Sequence, residues 1–189
     1  MRTQYTIVAY WSWIAIALVW LPGYFTSKKT SGVRSLALQI PASALLIIGF
    51  ALLFNPGSLA LNLQITPRVP ILGIIGLVLD LVGVAFAIWA RLALGTNWAG
   101  MVMSIKQGHE LVQTGPYAIV RHPIYAGFLL AMAGTALTIG TLSCYLGLAA
   151  GLVALMIRVR IEENLMREQF DDTHEAYRQR TKKLIPFVW

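Results

Sequence analysis

Three short polar clusters interrupt an otherwise apolar chain. The first is His109-Glu110-Leu111-Val112, followed after Gln113-Thr114-Gly115-Pro116 by Tyr117. The second is Arg121-His122-Pro123-Ile124-Tyr125, and the third is Arg158-Val159-Arg160-Ile161-Glu162-Glu163. Pro123 suits the first position of a helix, which puts His122 at that helix's cap. Free backbone donors at such a helix start, with the positive end of its dipole, favour a carboxylate or another anion. Tyr125, three residues on, shares the face of His122, and Arg158 shares a face with Glu162 at i and i+4. A guanidinium so placed can hold a carboxylate through two parallel hydrogen bonds.

Each cluster also has a plainer reading. A lone interfacial histidine is usually a solvated cap. Arg158 and Glu162 would make an exposed ion pair worth well under ~1 kcal/mol. An arginine-rich helix end can serve only as a lipid anchor, and tyrosines at that depth belong by default to an interfacial belt. Two features favour a site: all three clusters fall on one side of a membrane, as argued next, and acids such as Glu162 and Glu163 do not help anchoring to an anionic surface.

The elements that must position these clusters are membrane helices. Of 189 residues, 57% are hydrophobic and 12% charged, where a soluble domain needs roughly 25% charged residues. Span one is expected at about Tyr5–Phe25, span two at Leu36–Phe54, and span three at Val69–Leu92. Span four is expected at Pro123–Thr141, and span five starts near Leu142 and stays helical to about Phe170, each apolar stretch reaching the ~20 residues a crossing requires. Only Arg2 precedes span one and no small-residue cleavage site follows it, unlike a signal peptide. Asn55-Pro56-Gly57 reads as a turn, and almost nothing separates spans four and five. Gly147 and Gly151 form a small-xxx-small pair expected to pack within the bundle. The oligomeric state is not legible.

Thirteen of the fifteen basic residues follow spans one, three or five, and only Arg2 and Arg68 fall on the other side. The positive-inside rule then places the N-terminus outside and the C-terminus in the cytoplasm. The expected fold is therefore an all-α, multi-pass integral membrane protein of five transmembrane helices. Helices four and five form a tight hairpin, and the pocket faces the cytoplasm. One domain covers residues 1–189, with three structural helices in 1–94 and a catalytic half in 95–189. The net charge of +7 lies beside apolar segments, which suits membrane lipids as partners and argues against nucleic acid. The single cysteine, Cys144, allows neither a disulfide framework nor a Cys/His zinc site, and no metal is expected.

The ordered set Gly115-Pro116-Tyr117, Arg121-His122-Pro123-Ile124-Tyr125, Gly127, Glu162-Glu163, Met166, Phe170, Tyr177 and Pro186 resembles the signature of the isoprenylcysteine carboxyl methyltransferase family. The resemblance covers about residues 95–189. It implies a pocket for S-adenosylmethionine lined by His109, Glu110, Leu111, Val112, Tyr117, His122, Pro123, Ile124, Tyr125 and Glu162. It implies that Arg158 faces the carboxylate of a lipophilic acceptor that enters from the bilayer, with an isoprenylated cysteine as the candidate, so that Arg158 and Glu162 carry the reaction. Asp171 stands where the family usually has glycine, His174 where a tyrosine is usual, and Ala126-Gly127-Phe128 thins an aromatic-rich stretch. Phospholipid-amine and small-thiol methyltransferases share parts of the pattern, as does the cofactor half of NADPH-dependent membrane reductases. A non-catalytic membrane module is the remaining alternative. The chemistry fits the residues: transfer from a sulfonium to an anionic acceptor needs alignment and desolvation more than acid–base help.

Overall fold

The computed structural model describes residues 2–26, 30–33, 36–55, 61–98, 104–106 and 110–188. Five helices carry most of them: α1 Arg2–Thr26, α2 Leu36–Phe54, α3 Pro70–Leu94, α4 Pro123–Ile139 and α5 Leu142–Arg180. Proline opens α3 and α4, where its missing N–H costs nothing. Gly140 ends α4 at φ 77°, and its N–H bonds the Ala136 carbonyl, the left-handed stop that glycine adopts without strain. Two short strands, β1 Thr30–Val33 and β2 Ser104–Lys106, pair antiparallel and tie the α1–α2 link to the α3–α4 link. The turn expected at Asn55-Pro56-Gly57 lies largely outside the described residues.

Helix pairs form by close backbone approach rather than by hydrophobic burial, as expected where the surroundings are themselves apolar. α4 packs chiefly on α3, and α5 chiefly on α2. A Cβ on Gly127 would lie 2.7 Å from both the Ala87 nitrogen and the Gly83 oxygen, and one on Gly49 would lie 2.9 Å from the Gly147 oxygen. Gly147 and Gly151 thus pack inside the bundle. α1 is fastened by a polar knot. Buried Asp80 of α3 accepts hydrogen bonds from Ser12 (2.6 Å) and Thr135 (2.7 Å), and the Trp13 indole donates to Thr135 (3.0 Å). The outside is apolar: Trp11, Leu18, Ile40, Ile47, Ile71, Val78 and Val153 are all exposed.

Four of the five helices are long and apolar enough to cross a membrane, whereas α4 is a shorter apolar helix of 17 residues. At one end of the bundle the α2–α3 link meets the turn between α4 and α5, with the Ile65 N–H on the Gly140 carbonyl (2.8 Å) and the Leu142 N–H on Leu63 (2.8 Å). The other, polar end gathers β1–β2, residues 110–122 and the end of α5. Only Gly140 and Thr141 separate α4 from α5, yet each packs more on another helix than on its neighbour.

Two features differ from the sequence expectation. The helix expected to stop near Phe170 resumes after a kink at Asp171 (φ 36°, ψ −113°) and runs to Arg180. The resumed part buries His174 and Tyr177, and that burial outweighs the polar composition that read as a tail. The short β ribbon was not anticipated, because three- and four-residue strands leave no periodicity to read.

Candidate functional site

The polar end holds a cavity of about 310 Å³, at the lower end of the ~300–1,000 Å³ typical of small-molecule sites. Its charged wall comes from the start of α4 and the polar stretch of α5 beyond residue 157. Its apolar wall comes from membrane helices: Trp20 of α1, Leu46 and Phe50 of α2, Phe128 of α4 and Leu155 of α5. Pro123 starts α4 with His122 at its cap, but the His122 side chain makes no capping bond. It turns instead between two carboxylates, with Nδ1 3.4 Å from Glu162 and Nε2 2.9 Å from Glu163.

The two adjacent glutamates have different surroundings. Glu163 is 7% exposed and receives the Arg121 guanidinium through two bonds, Nε at 2.8 Å and Nη2 at 3.2 Å. Arg178 lies 3.6 Å and His174 4.0 Å away. Arg121 is itself anchored to the carbonyls of Thr181 and Arg178. Glu162 is 35% exposed and faces the cavity, with the Tyr125 hydroxyl against both it and Arg158. Burial alone would raise the Glu163 carboxyl, but hydrogen bonds from His122 and Arg121, and their charges, hold it well below the usual carboxylate range. Burial alone would lower His122, but hydrogen bonds to Glu162 and Glu163 leave it above its ordinary value. The result is an imidazole ring clamped between two carboxylates.

Residues 110–118 form the third wall. The Glu110 N–H reaches the Asn97 side chain (3.4 Å), and a 3-10 turn at Gly115–Ala118 brings Tyr117 into the cavity. The Tyr177 hydroxyl donates to the Tyr117 carbonyl (2.6 Å), and Arg180 donates to Gln113 (2.9 Å). The resumed part of α5 thus holds this wall in place. Trp98 completes it, with the Arg91 guanidinium 4.5 Å over its ring.

Of the residues expected to line a pocket, Glu110, Leu111, Val112, Tyr117, His122, Ile124, Tyr125, Arg158 and Glu162 all do so. Pro123 is buried but shapes the helix start rather than the wall. His109 lies outside the described residues. Arg158 donates to Ser43 of α2 at 2.9 Å, at the seam between the charged and apolar walls. Sequence reasoning gave no separate role to Glu163, Arg121 or His174, and missed Asn97, Trp98 and the apolar wall. Asp171 and His174, both departures from the family pattern, were the available signal that the end of α5 matters.

Fold and site together define a multi-pass membrane protein whose charged cavity is built from helix ends and opens onto membrane helices. A sequence profile of the isoprenylcysteine carboxyl methyltransferase (ICMT) family matches residues 74–168, half of the chain, and the protein belongs to that family. The match begins within α3, ahead of the region where the motifs lie. The chain is 32% identical over 112 residues to the nickel-cobalt-cadmium resistance protein NccN of Alcaligenes xylosoxydans xylosoxydans, covering 58% of this chain and 49% of the relative. It is 32% identical over 101 residues to the protein-S-isoprenylcysteine O-methyltransferase of Schizosaccharomyces pombe, covering 52% and 43%. A shorter match, 36% over 72 residues, is to methanethiol S-methyltransferase 1 of Bradyrhizobium diazoefficiens, covering 38% and 24%. The solved structure of the eukaryotic intramembrane Ras methyltransferase ICMT superposes with a TM-score of 0.56 at 27% identity, covering 84% of this chain and 55% of that one. The chain spans half or less of the length of these curated relatives.

Proposed function

We propose that the protein is a membrane methyltransferase that takes its methyl group from S-adenosylmethionine and passes it to a lipophilic acceptor. The observation that carries this reading is a single cavity that joins the cluster of His122, Glu162 and Glu163 to an aromatic wall contributed by membrane helices. The donor set fits such a ligand. Glu162 presents an accessible carboxylate for an amino group, Trp98 and Tyr117 offer ring faces to a nucleoside, and the start of α4 suits a carboxylate. When bound, S-adenosylmethionine supplies an electrophilic methyl group on a sulfonium.

The chain's own residues then have three tasks. Glu162, Tyr125 and Tyr117 hold the donor in line. Arg158 holds the acceptor carboxylate, which attacks as an anion, so no base is required. The apolar wall excludes water and receives the acceptor's hydrocarbon part. The leading acceptor is the carboxylate of an isoprenylated cysteine, which matches an arginine at the seam of the two walls. Thirteen basic residues on the site's side of the spans support a cytoplasmic face.

Calorimetry in detergent tests this. S-adenosylhomocysteine should bind in the micromolar range and be lost in Glu162→Ala or His122→Ala. Binding of NADPH instead would replace the reading with a reductase, and binding of neither would leave a membrane module. Arg158→Ala should keep donor binding and lose turnover of an isoprenylated cysteine. If methanethiol is methylated and the prenylated carboxylate is not, the acceptor assignment is wrong while the donor assignment stands.

A further inference from the structure

We infer that Phe128 and Phe50 stop the acceptor's hydrocarbon chain, so that the acceptor is a thioether carboxylate with a short chain of one or two five-carbon isoprenoid units. This rests on the reading above, in which Arg158 holds that carboxylate. The apolar wall ends at one level on every helix that builds it. Its deepest residues are Trp20 of α1, Phe50 of α2, Phe128 of α4 and Leu155 of α5. One turn further on stand Ile16, Leu53, Met132 and Gly151, all buried and none of them in the wall. The Phe128 ring closes the level, with its centroid 5.5 Å from that of Trp20, 5.9 Å from Trp13 and 6.5 Å from Phe50. Behind it Met132 packs on Gly151, where a Cβ would come within 2.8 Å of the Met132 sulfur.

The depth above this floor is short. Arg158 donates to Ser43 at 2.9 Å, which fixes its guanidinium near that level of α2. The helical stretch from Ser43 to Phe50 rises about 10 Å at 1.5 Å per residue. An extended chain advances about 3.5 Å for every three bonds. A carboxylate held at Arg158 therefore uses nearly half of the depth in its own carbons and thioether sulfur, and the rest takes roughly one five-carbon unit. A second unit fits only by bending across the cavity, and a third has no place. Volume agrees, because a cavity of about 310 Å³ lies at the lower end of the ~300–1,000 Å³ that one small ligand occupies, and it must also hold the donor.

The experiment measures, by calorimetry on the full chain in maltoside micelles, the binding of N-acetylated S-geranylcysteine and S-farnesylcysteine, which carry two and three units. The ratio of the two affinities is compared between parent and variants, so that partitioning into micelles cancels. Phe128→Ala should raise farnesyl over geranyl affinity about tenfold, a fraction of what burying one more unit is worth. Should that variant be unstable, Phe50→Leu, a change at a half-buried side chain, is the second probe and should move the ratio the same way. Leu152→Ala, on the exposed face of α5, should leave the ratio at the parent's value. A ratio unchanged in both phenylalanine variants, or shifted equally in Leu152→Ala, would overturn the stop. S-adenosylhomocysteine binding by the parent separates this inference from the reading beneath it. Donor binding with an unmoved ratio removes only the chain stop, and a shifted ratio without donor binding upholds the stop and removes methyl transfer.

Discussion

Glu162 and Glu163 are neighbours in sequence with opposite duties, and the difference is measurable. Glu163 accepts Arg121 and His122 in a nearly dry setting. Glu163→Gln leaves the Arg121 guanidinium without its counter-charge, a loss of up to ~3–5 kcal/mol for a buried pair, so thermal unfolding should shift down by many degrees. Glu162→Gln should leave Tm nearly unchanged. It should weaken S-adenosylhomocysteine binding about 10–100-fold, the worth of a charge-assisted hydrogen bond. The reverse pattern would exchange the two roles.

The same cluster sets a pH dependence. His122 is raised in the folded protein, so its contribution is complete below about 6.5, its ordinary value, and is lost as pH rises through the raised one. Glu163 is lowered, so its contribution is complete above about 4.5 and is lost as pH falls. Tm should be highest between those two limits and decline on both sides. His122→Asn should flatten the alkaline decline in a differential scanning series. An alkaline decline of equal depth in that variant would mean that another group is responsible.

Among the elements, the kink in α5 offers the sharpest test. Asp171 sits at φ 36°, in the region that glycine occupies without penalty and other residues do not. Asp171→Gly should raise stability by about 1 kcal/mol while leaving the site's geometry intact, as read by Tm and S-adenosylhomocysteine affinity. Gly127→Leu should do the opposite, because any Cβ there meets α3 backbone at 2.7 Å. It should separate α3 from α4 and abolish folding in detergent, seen as aggregation on size exclusion.

These two positions also mark what could be read in advance. α2 fell on 36–54 as its apolar run requires, and Pro123 fixed the start of α4. Tyr117, His122, Tyr125, Arg158 and Glu162 converge on one cavity as their spacing and resemblance implied. The division of labour between the glutamates was not legible. Adjacent helical residues point about 100° apart, and which of them is buried depends on Arg121 and Arg178, distant in sequence. The Asp80 knot was equally silent, since its members come from three different helices.

For the whole molecule, the proposed cytoplasmic site requires the two ends of the bundle to lie on opposite sides of the membrane, which labelling can test. Cys144 is fully buried, which leaves a quiet background for thiol labelling. Lys182→Cys should react with an impermeant maleimide only in inside-out vesicles, and Arg68→Cys, exposed at the other end, only in right-side-out ones. Labelling of both from one side would overturn that placement. The pairing of residues 120–122 with 181–183 also has a consequence for biosynthesis. The wall that holds His122 is closed by a segment translated some sixty residues later, and chains fold from the N-terminal side as they emerge. The helices are therefore all made before this wall can close, and a nascent chain halted at the end of α5 would have its five helices but a cavity still open on that side.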